Sequence, residues 1–165
     1  RAEFFRGEVN KYGWVDIGSS FLPSEMTAAF LLAQLENLDD IQSRRTSIWN
    51  NYSRQLGNLN SRGIQTHFIP GYATNNAHMF YLVCSGISQR TLLINALKAN
   101  DILAVFHYLS LHNSPYYKDI YEGGQLVEAD RYSDRLLRLP LYYELSDEDI
   151  VKIVSIIDLT INIDP

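Results

Sequence analysis

The sequence predicts an α/β fold, a small two-layer domain of helices on a sheet preceded by a long helix. Three observations carry this. Strand-like and helix-like segments alternate over residues 64–160. Residues 23–56 read as one long helix whose apolar coverage changes along its length. Near the end, Ser146-x-x-Asp149 precedes an apolar stripe, the pattern of a capped helix start.

Residues 1–22 are turn-rich, with Gly7, Gly13 and Gly18, and carry Phe4, Phe5, Tyr12, Trp14 and Phe21. So many aromatics need a surface to pack on. Pro23 suits the first helical turn, where its missing N–H costs nothing, and Ser24 can cap or support the start. The helix then extends to about Leu56, with a candidate break near residues 38–40. From Met26 to Leu35 apolar side chains cover most of the circumference, as in a helix buried on all sides. From Asp39 the stripe narrows to Ile41, Ile48, Trp49, Tyr52 and Leu56, as in a surface helix. An unbroken element would be about 50 Å long, which suits a link between two domains.

Downstream, Ile64–Phe68 and His78–Cys84 read as strands. Ser88 caps a helix reaching about Asn100, with Leu92, Leu93, Ala96 and Leu97 inward. Ile102–Tyr108 reads as a further strand, Tyr116–Gly124 as a loop or single helical turn, and Ala129–Leu137 as a short helix stopping before Pro140. Ile150, Ile153, Val154 and Ile157 form the stripe of the last helix. The expected organisation is an aromatic segment over 1–22, an interdomain helix over 23–57 and a small α/β domain over 58–165.

At 165 residues, 46% apolar and 20% charged, the chain is of globular type, long enough for its own core. No apolar run approaches the roughly 20 residues that span a bilayer. A net charge of −5 argues against a nucleic-acid surface, which needs clustered Lys and Arg. Cys84 is the lone cysteine, so it reads as a buried thiol in a cytoplasmic protein. The chain opens on Arg1 rather than Met, which suggests a piece of a longer protein.

Three groups of residues could carry chemistry. His107 and Tyr108, with His112, can bind phosphate or steer protons at a strand end, or simply close the strand and solvate the loop. Gly18-Ser19-Ser20 precedes a helix, where free N–H groups and hydroxyls suit phosphate as well as plain capping. Arg6, Lys11 and Trp14 could hold a diphosphate and stack a base, or lie in a solvated loop with one packed Trp. His67, His78, His107 and His112 have no metal-ligand spacing, so no metal site is expected. Lys11, Lys98, Lys118 and Lys152 lack the setting of a Schiff-base lysine, and Lys98 and Lys152 fall on exposed helix faces.

Taken in order, FFRGEVNKYGWVDIGSSFLPSEMTAAFLLAQLENLD, NNAHMFYLV, LKANDILAVFHYLSLH and SDRLLRLPLYYELSDEDI resemble the C-terminal part of the DegT/DnrJ/EryC1/StrS aminotransferases. The KYGWVDIGSS form is most similar to members that aminate a dTDP-4-keto-6-deoxy sugar. The resemblance implies a fold-type I enzyme that uses pyridoxal 5'-phosphate (PLP) and works as a homodimer with shared active sites. Glutamate would give its amino group to the cofactor, which passes it to the 4-keto carbon of the sugar nucleotide. A lysine that carries the cofactor would lie upstream, leaving this chain inactive alone. Ser19 and Ser20 would reach the cofactor phosphate, Ser20 standing where many members have Asn. His107 and Tyr108 match a His-Tyr pair near the substrate, while Arg6, Lys11 and Trp14 belong to the loop facing the sugar nucleotide. Asn10 and Gly13 depart from the Asp and Thr frequent in such relatives.

Two other readings are compatible with these residues. One is a family member acting on a different sugar nucleotide, or one with His in place of the lysine. The other is a non-catalytic dimerisation or binding module.

Overall fold

The computed structural model describes residues 22–163, in two compact units that divide between Asn37 and Leu38. The expectations for residues 1–21 lie outside the described residues.

The first unit contains helix α1, Glu25–Glu36. Ser24 is its cap: extended at φ −66° and ψ 158°, it accepts the Thr27 N–H on Oγ at 3.2 Å. Pro23 therefore precedes the cap instead of occupying the first turn. Glu25 sets a negative charge at the positive end of the helix. At the other end Asn37 Nδ2 donates to the Ala33 carbonyl at 2.8 Å, and the helix stops. The sequence expects α1 to be covered all round, yet none of its residues is buried. Met26 is 85% exposed and Phe30 72%, with Leu31, Leu32 and Leu35 also in the open.

The second unit starts at Leu38 with helix α2, Leu38–Leu56, which buries Ile48, Trp49, Tyr52 and Leu56. A 3-10 turn, Gly57–Arg62, closes at Gly63 with φ 79°, a left-handed conformation that glycine adopts without penalty. Then come β1 (Gln65–Thr66), β2 (Phe80–Val83), α3 (Ile87–Lys98), β3 (Val105–Phe106), α4 (Val127–Arg135), β4 (Leu136–Leu139) and α5 (Asp147–Ile163). The sheet has the order β1-β2-β4-β3, and every pairing is antiparallel.

Phe80 pairs with Leu139, Tyr81 with Arg138 and Leu82 with Leu137. On the other side Val105 pairs with Arg138 and Phe106 with Leu137. Because side chains alternate along a strand, Phe80, Leu82, Leu137 and Leu139 share one face. That face meets the helix layer: Trp49 and Tyr52 of α2 set their rings 5.6 and 5.1 Å from Phe80, and α5 lies against both α2 and α3. Leu93, Leu97, Ile150 and Ile157 complete the core. The second face carries Tyr81, Val83, Leu136 and Arg138. Tyr132 of α4 lines the same hollow as Tyr81 and Val83, and Arg131 Nη2 donates to Gln65 Oε1 at 2.6 Å.

The last helix matches its sequence pattern. Ser146 Oγ accepts the Asp149 N–H at 3.0 Å while Asp149 Oδ2 accepts the Ser146 N–H at 3.4 Å, and Ile150, Ile153, Val154 and Ile157 are buried. Cys84 is 2% exposed, and burial pushes its thiol up to about 12 against the opposing pull of Arg90.

Other expectations need correction. The expected helix through Leu137 ends at Arg135, and Leu136–Leu139 is a strand. Its leucines are buried on both faces, so the segment lacks the alternation that marks a half-buried strand. Ser88 is not a cap: Gly86 precedes α3 without a side-chain bond, and Gln89 Oε1 reaches back to the Ser85 N–H at 2.9 Å. Leu92 of α3 is exposed; Arg90, Leu93 and Leu97 are buried and Ile94 is half-buried. The strands expected over 64–68 and 102–108 shrink to Gln65–Thr66 and Val105–Phe106.

Leu137→Ala should lower stability by about 2–5 kcal/mol and Leu92→Ala by well under half as much, read from urea midpoints. Equal losses would contradict the register. The chain should also bind a dye for exposed apolar surface, and Phe30→Ser with Leu31→Ser should reduce that binding without lowering the melting temperature. Unchanged dye binding in the double variant would show that α1 is covered.

Candidate functional site

β3 ends at Phe106, whose partner Leu137 faces the helices, so His107 comes next at the strand's end on the side of Arg138. Arg138 Nη1 lies 2.9 Å from His107 Nδ1. A guanidinium can only donate, so Nδ1 is the acceptor and the proton of the neutral ring sits on Nε2. Partial burial, then the charges of Arg138 and His78, hold His107 below the usual histidine range. The rings of His107 and Tyr108 are 3.8 Å apart at 34°, and Tyr108 is 71% exposed. The pair therefore keeps two further donors, the Nε2–H of the half-buried His107 and the hydroxyl of the exposed Tyr108.

Arg138 was not foreseen from the sequence. It is half-buried between Tyr81 and Val105, and its Nε is buried without an acceptor among the described residues. Beside His107, 31 positions away, it turns an isolated His-Tyr pair into a cationic corner.

His112 joins a different set. Its Nε2 sits 3.1 Å from Asp130 Oδ1, the same oxygen that accepts from Ser110 Oγ at 2.7 Å and Asn113 Nδ2 at 2.8 Å. The His112 side chain is 10% exposed, so it is no solvated loop residue. The Ser110 hydroxyl, helped by His112 and Asn113, holds the Asp130 carboxyl below the usual carboxylate range, against a smaller opposing effect of burial. Asp130 belongs to α4, so this carboxylate ties the segment that follows His107 and Tyr108 to that helix. Its sequence signal is faint: Asp130 is one of two acidic residues in a first helical turn, with Glu128, an ordinary position for an exposed charge.

Arg6, Lys11, Trp14, Ser19 and Ser20 lie outside the described residues. Of the lysines, Lys98, Lys118 and Lys152 are all exposed. Lys152 Nζ donates to the Asn100 carbonyl at 3.3 Å. Among the described residues no helix is long and apolar enough to cross a membrane.

The family model for the DegT/DnrJ/EryC1/StrS aminotransferase family matches residues 3–158. The S. venezuelae protein DesV, solved in complex with a ketimine intermediate, superposes with a TM-score of 0.81 and 25% identity over 92% of this chain and 40% of its own. A DegT DnrJ EryC1 StrS aminotransferase from Brucella abortus gives 0.77 and 26% over 90% of this chain and 39% of its own. The uncharacterised Methanocaldococcus jannaschii protein MJ1066 is 25% identical over 150 residues, 87% of this chain and 38% of that protein. The chain thus spans well under half the length of each. The structural neighbours are fold-type I enzymes, and aminotransferases of this family depend on PLP. Matched along almost its whole length by the family model, and carrying the same mixed fold of helices on a small antiparallel sheet, the chain belongs to the DegT/DnrJ/EryC1/StrS aminotransferase family.

Proposed function

We propose that this chain is the C-terminal part of a PLP-dependent aminotransferase that moves an amino group from glutamate to the 4-keto carbon of a dTDP-4-keto-6-deoxy sugar. The observation that carries the reading is the family match over residues 3–158 of a chain that covers about two fifths of its structural relatives. The choice of sugar rests on the KYGWVDIGSS segment. In this reading the cofactor-bearing lysine comes from a part of the protein outside these residues, in keeping with the exposed setting of Lys98, Lys118 and Lys152. A Schiff-base lysine needs a desolvated or cation-lowered amine, which an exposed helix face does not supply.

PLP would supply the electron sink for moving the amino group. Ser19 and Ser20 would hold its phosphate through their hydroxyls. His107 and Tyr108 would meet the substrate, with Arg6, Lys11 and Trp14 on the sugar-nucleotide side. The exposed apolar face of α1 fits a helix that the rest of the enzyme covers, in a cytoplasmic homodimer whose partner completes each site. Asp130 would act at one remove, keeping the loop after Tyr108 docked on α4.

The full-length protein that contains this chain should, with PLP, glutamate and a dTDP-4-keto-6-deoxy sugar, form a 4-amino sugar and 2-oxoglutarate, both read by mass spectrometry. Amino-group transfer from glutamate to none of a panel of 4-keto sugar nucleotides would sink the proposal. The 165-residue chain alone, treated with PLP and borohydride, should give no stoichiometric adduct on Lys11, Lys98, Lys118 or Lys152. One site-specific adduct would overturn the placement of the lysine elsewhere.

The Asp130 tie has a pH signature. A carboxyl with a lowered folded pKa stabilises the fold fully above its unfolded value, about 3.9, and loses that contribution as pH falls through the folded pKa. The melting-temperature gap between the chain and its Asp130→Asn variant should be widest near neutral pH and close below about pH 4. A gap independent of pH would mean that the carboxylate charge does not hold the loop.

A further inference from the structure

We propose that Arg138 and His107 form an oxyanion site on the second face of the sheet, one that takes a phosphate or carboxylate group of a ligand. The first support is charge. Arg44, Arg62 and Arg131 each have a carboxylate within 4 Å, at Asp147, Asp158 and Glu128. Among the described residues Arg138 has none; Arg45, Arg54, Arg90 and Arg135 also have none, but the first three donate to oxygen acceptors, whereas Arg138 donates to a neutral ring nitrogen, 2.9 Å away. A half-buried guanidinium without a counter-charge keeps most of its attraction for an incoming anion, because water screens it poorly.

The second support is the kind of groups on offer. Arg138 has only donors. His107 spends Nδ1 on Arg138 and is left with its Nε2–H. The exposed Tyr108 hydroxyl lies on the neighbouring ring, 3.8 Å centroid to centroid. A site made of donors around a cation selects groups that only accept, and phosphate and carboxylate oxygens are the strong members of that class.

The third support is rigidity. Arg138 is held in the middle of the sheet by paired strands on both sides, through Tyr81 and Val105. A fork whose base is fixed loses less freedom on binding than one on a loop. Only the identity of the anion rests on the aminotransferase reading. There the two sources are the diphosphate of a sugar nucleotide and the carboxylates of an amino donor.

The test is an NMR titration of the isotope-labelled 165-residue chain, following the His107 ring and the Tyr108 amide. Sodium pyrophosphate and sodium glutarate are added separately at constant pH and ionic strength, with sodium chloride as the control. At least one should shift these signals saturably, and Arg138→Gln should weaken that binding roughly tenfold or more. Arg138→Lys should keep part of it. Response to pyrophosphate alone assigns the site to a phosphate, to glutarate alone to a carboxylate, and to both to oxyanions generally. Shifts with neither anion, or undiminished shifts in Arg138→Gln, would overturn the site. Should Arg138→Gln disrupt the sheet, His107→Gln at the strand end, read at Tyr108, replaces it, and undiminished binding there is equally fatal. Anion binding without transamination in the full-length protein would sink the aminotransferase reading and leave this site standing.

Discussion

β4 is four residues long and has a paired strand on each side. The two edge strands, β1 beside β2 and β3 beside β4, are only two residues long, and short pairings of that kind have no independent stability. Leu137 explains how the sheet nevertheless holds. It is fully buried, opposite Leu82 on one side and Phe106 on the other, and it presses on the helix layer. Removing the central strand would leave β2 and β3 with no common partner and open the core over Tyr52 and Phe80. The same alternation that sends Leu137 and Leu139 inward sends Arg138 to the other face, so the cationic corner follows from how the core is packed.

The two units solve the same physical problem differently. α5 has one apolar stripe and covers it within the chain, at Ile150, Ile153, Val154 and Ile157. α1 is apolar nearly all round and none of its residues is covered. A striped helix needs one neighbour, whereas an all-round apolar helix needs several. Charge follows a parallel division. Arg90 is buried with the Ser133 carbonyl as acceptor and stands 5.3 Å from the Phe106 ring, so its charge is spread over dipoles and a π face. Arg138 leaves its charge toward a neutral imidazole and the surface.

How much of this was legible in the sequence depended on how local the signal was. The Ser146–Asp149 box and the Ile150 stripe lie within a few turns of one helix, so spacing alone revealed them. α2 was equally readable from Ile48, Trp49, Tyr52 and Leu56. Leu136–Leu139 was misread as the tail of a helix because a strand buried on both faces has no alternation to display. For the site, His107 and Tyr108 were visible as residue types at a strand end. Arg138 and Asp130 were not, since each acquires its meaning from a partner 31 or 18 positions away that only the folded sheet brings close. His112 looked solvated because its acceptor sits on a different element. The family resemblance pointed to helices on a small sheet, but it could not supply contacts that spacing does not encode.

α4 ends at Arg135 and β4 begins at Leu136, with no connecting residue between helix and strand. The chain has no slack at that junction. A single inserted or deleted residue there could not bulge harmlessly into a loop: it would rotate the strand by half a turn relative to the helix. Leu137 and Leu139 would then turn to the second face and Arg138 into the core, and both hydrogen-bonded corners, at Asp130 and at His107, would fall out of step together. Length variation in this chain should thus be confined to segments such as 67–79 and 114–126, and barred from the stretch between Asp130 and Pro140.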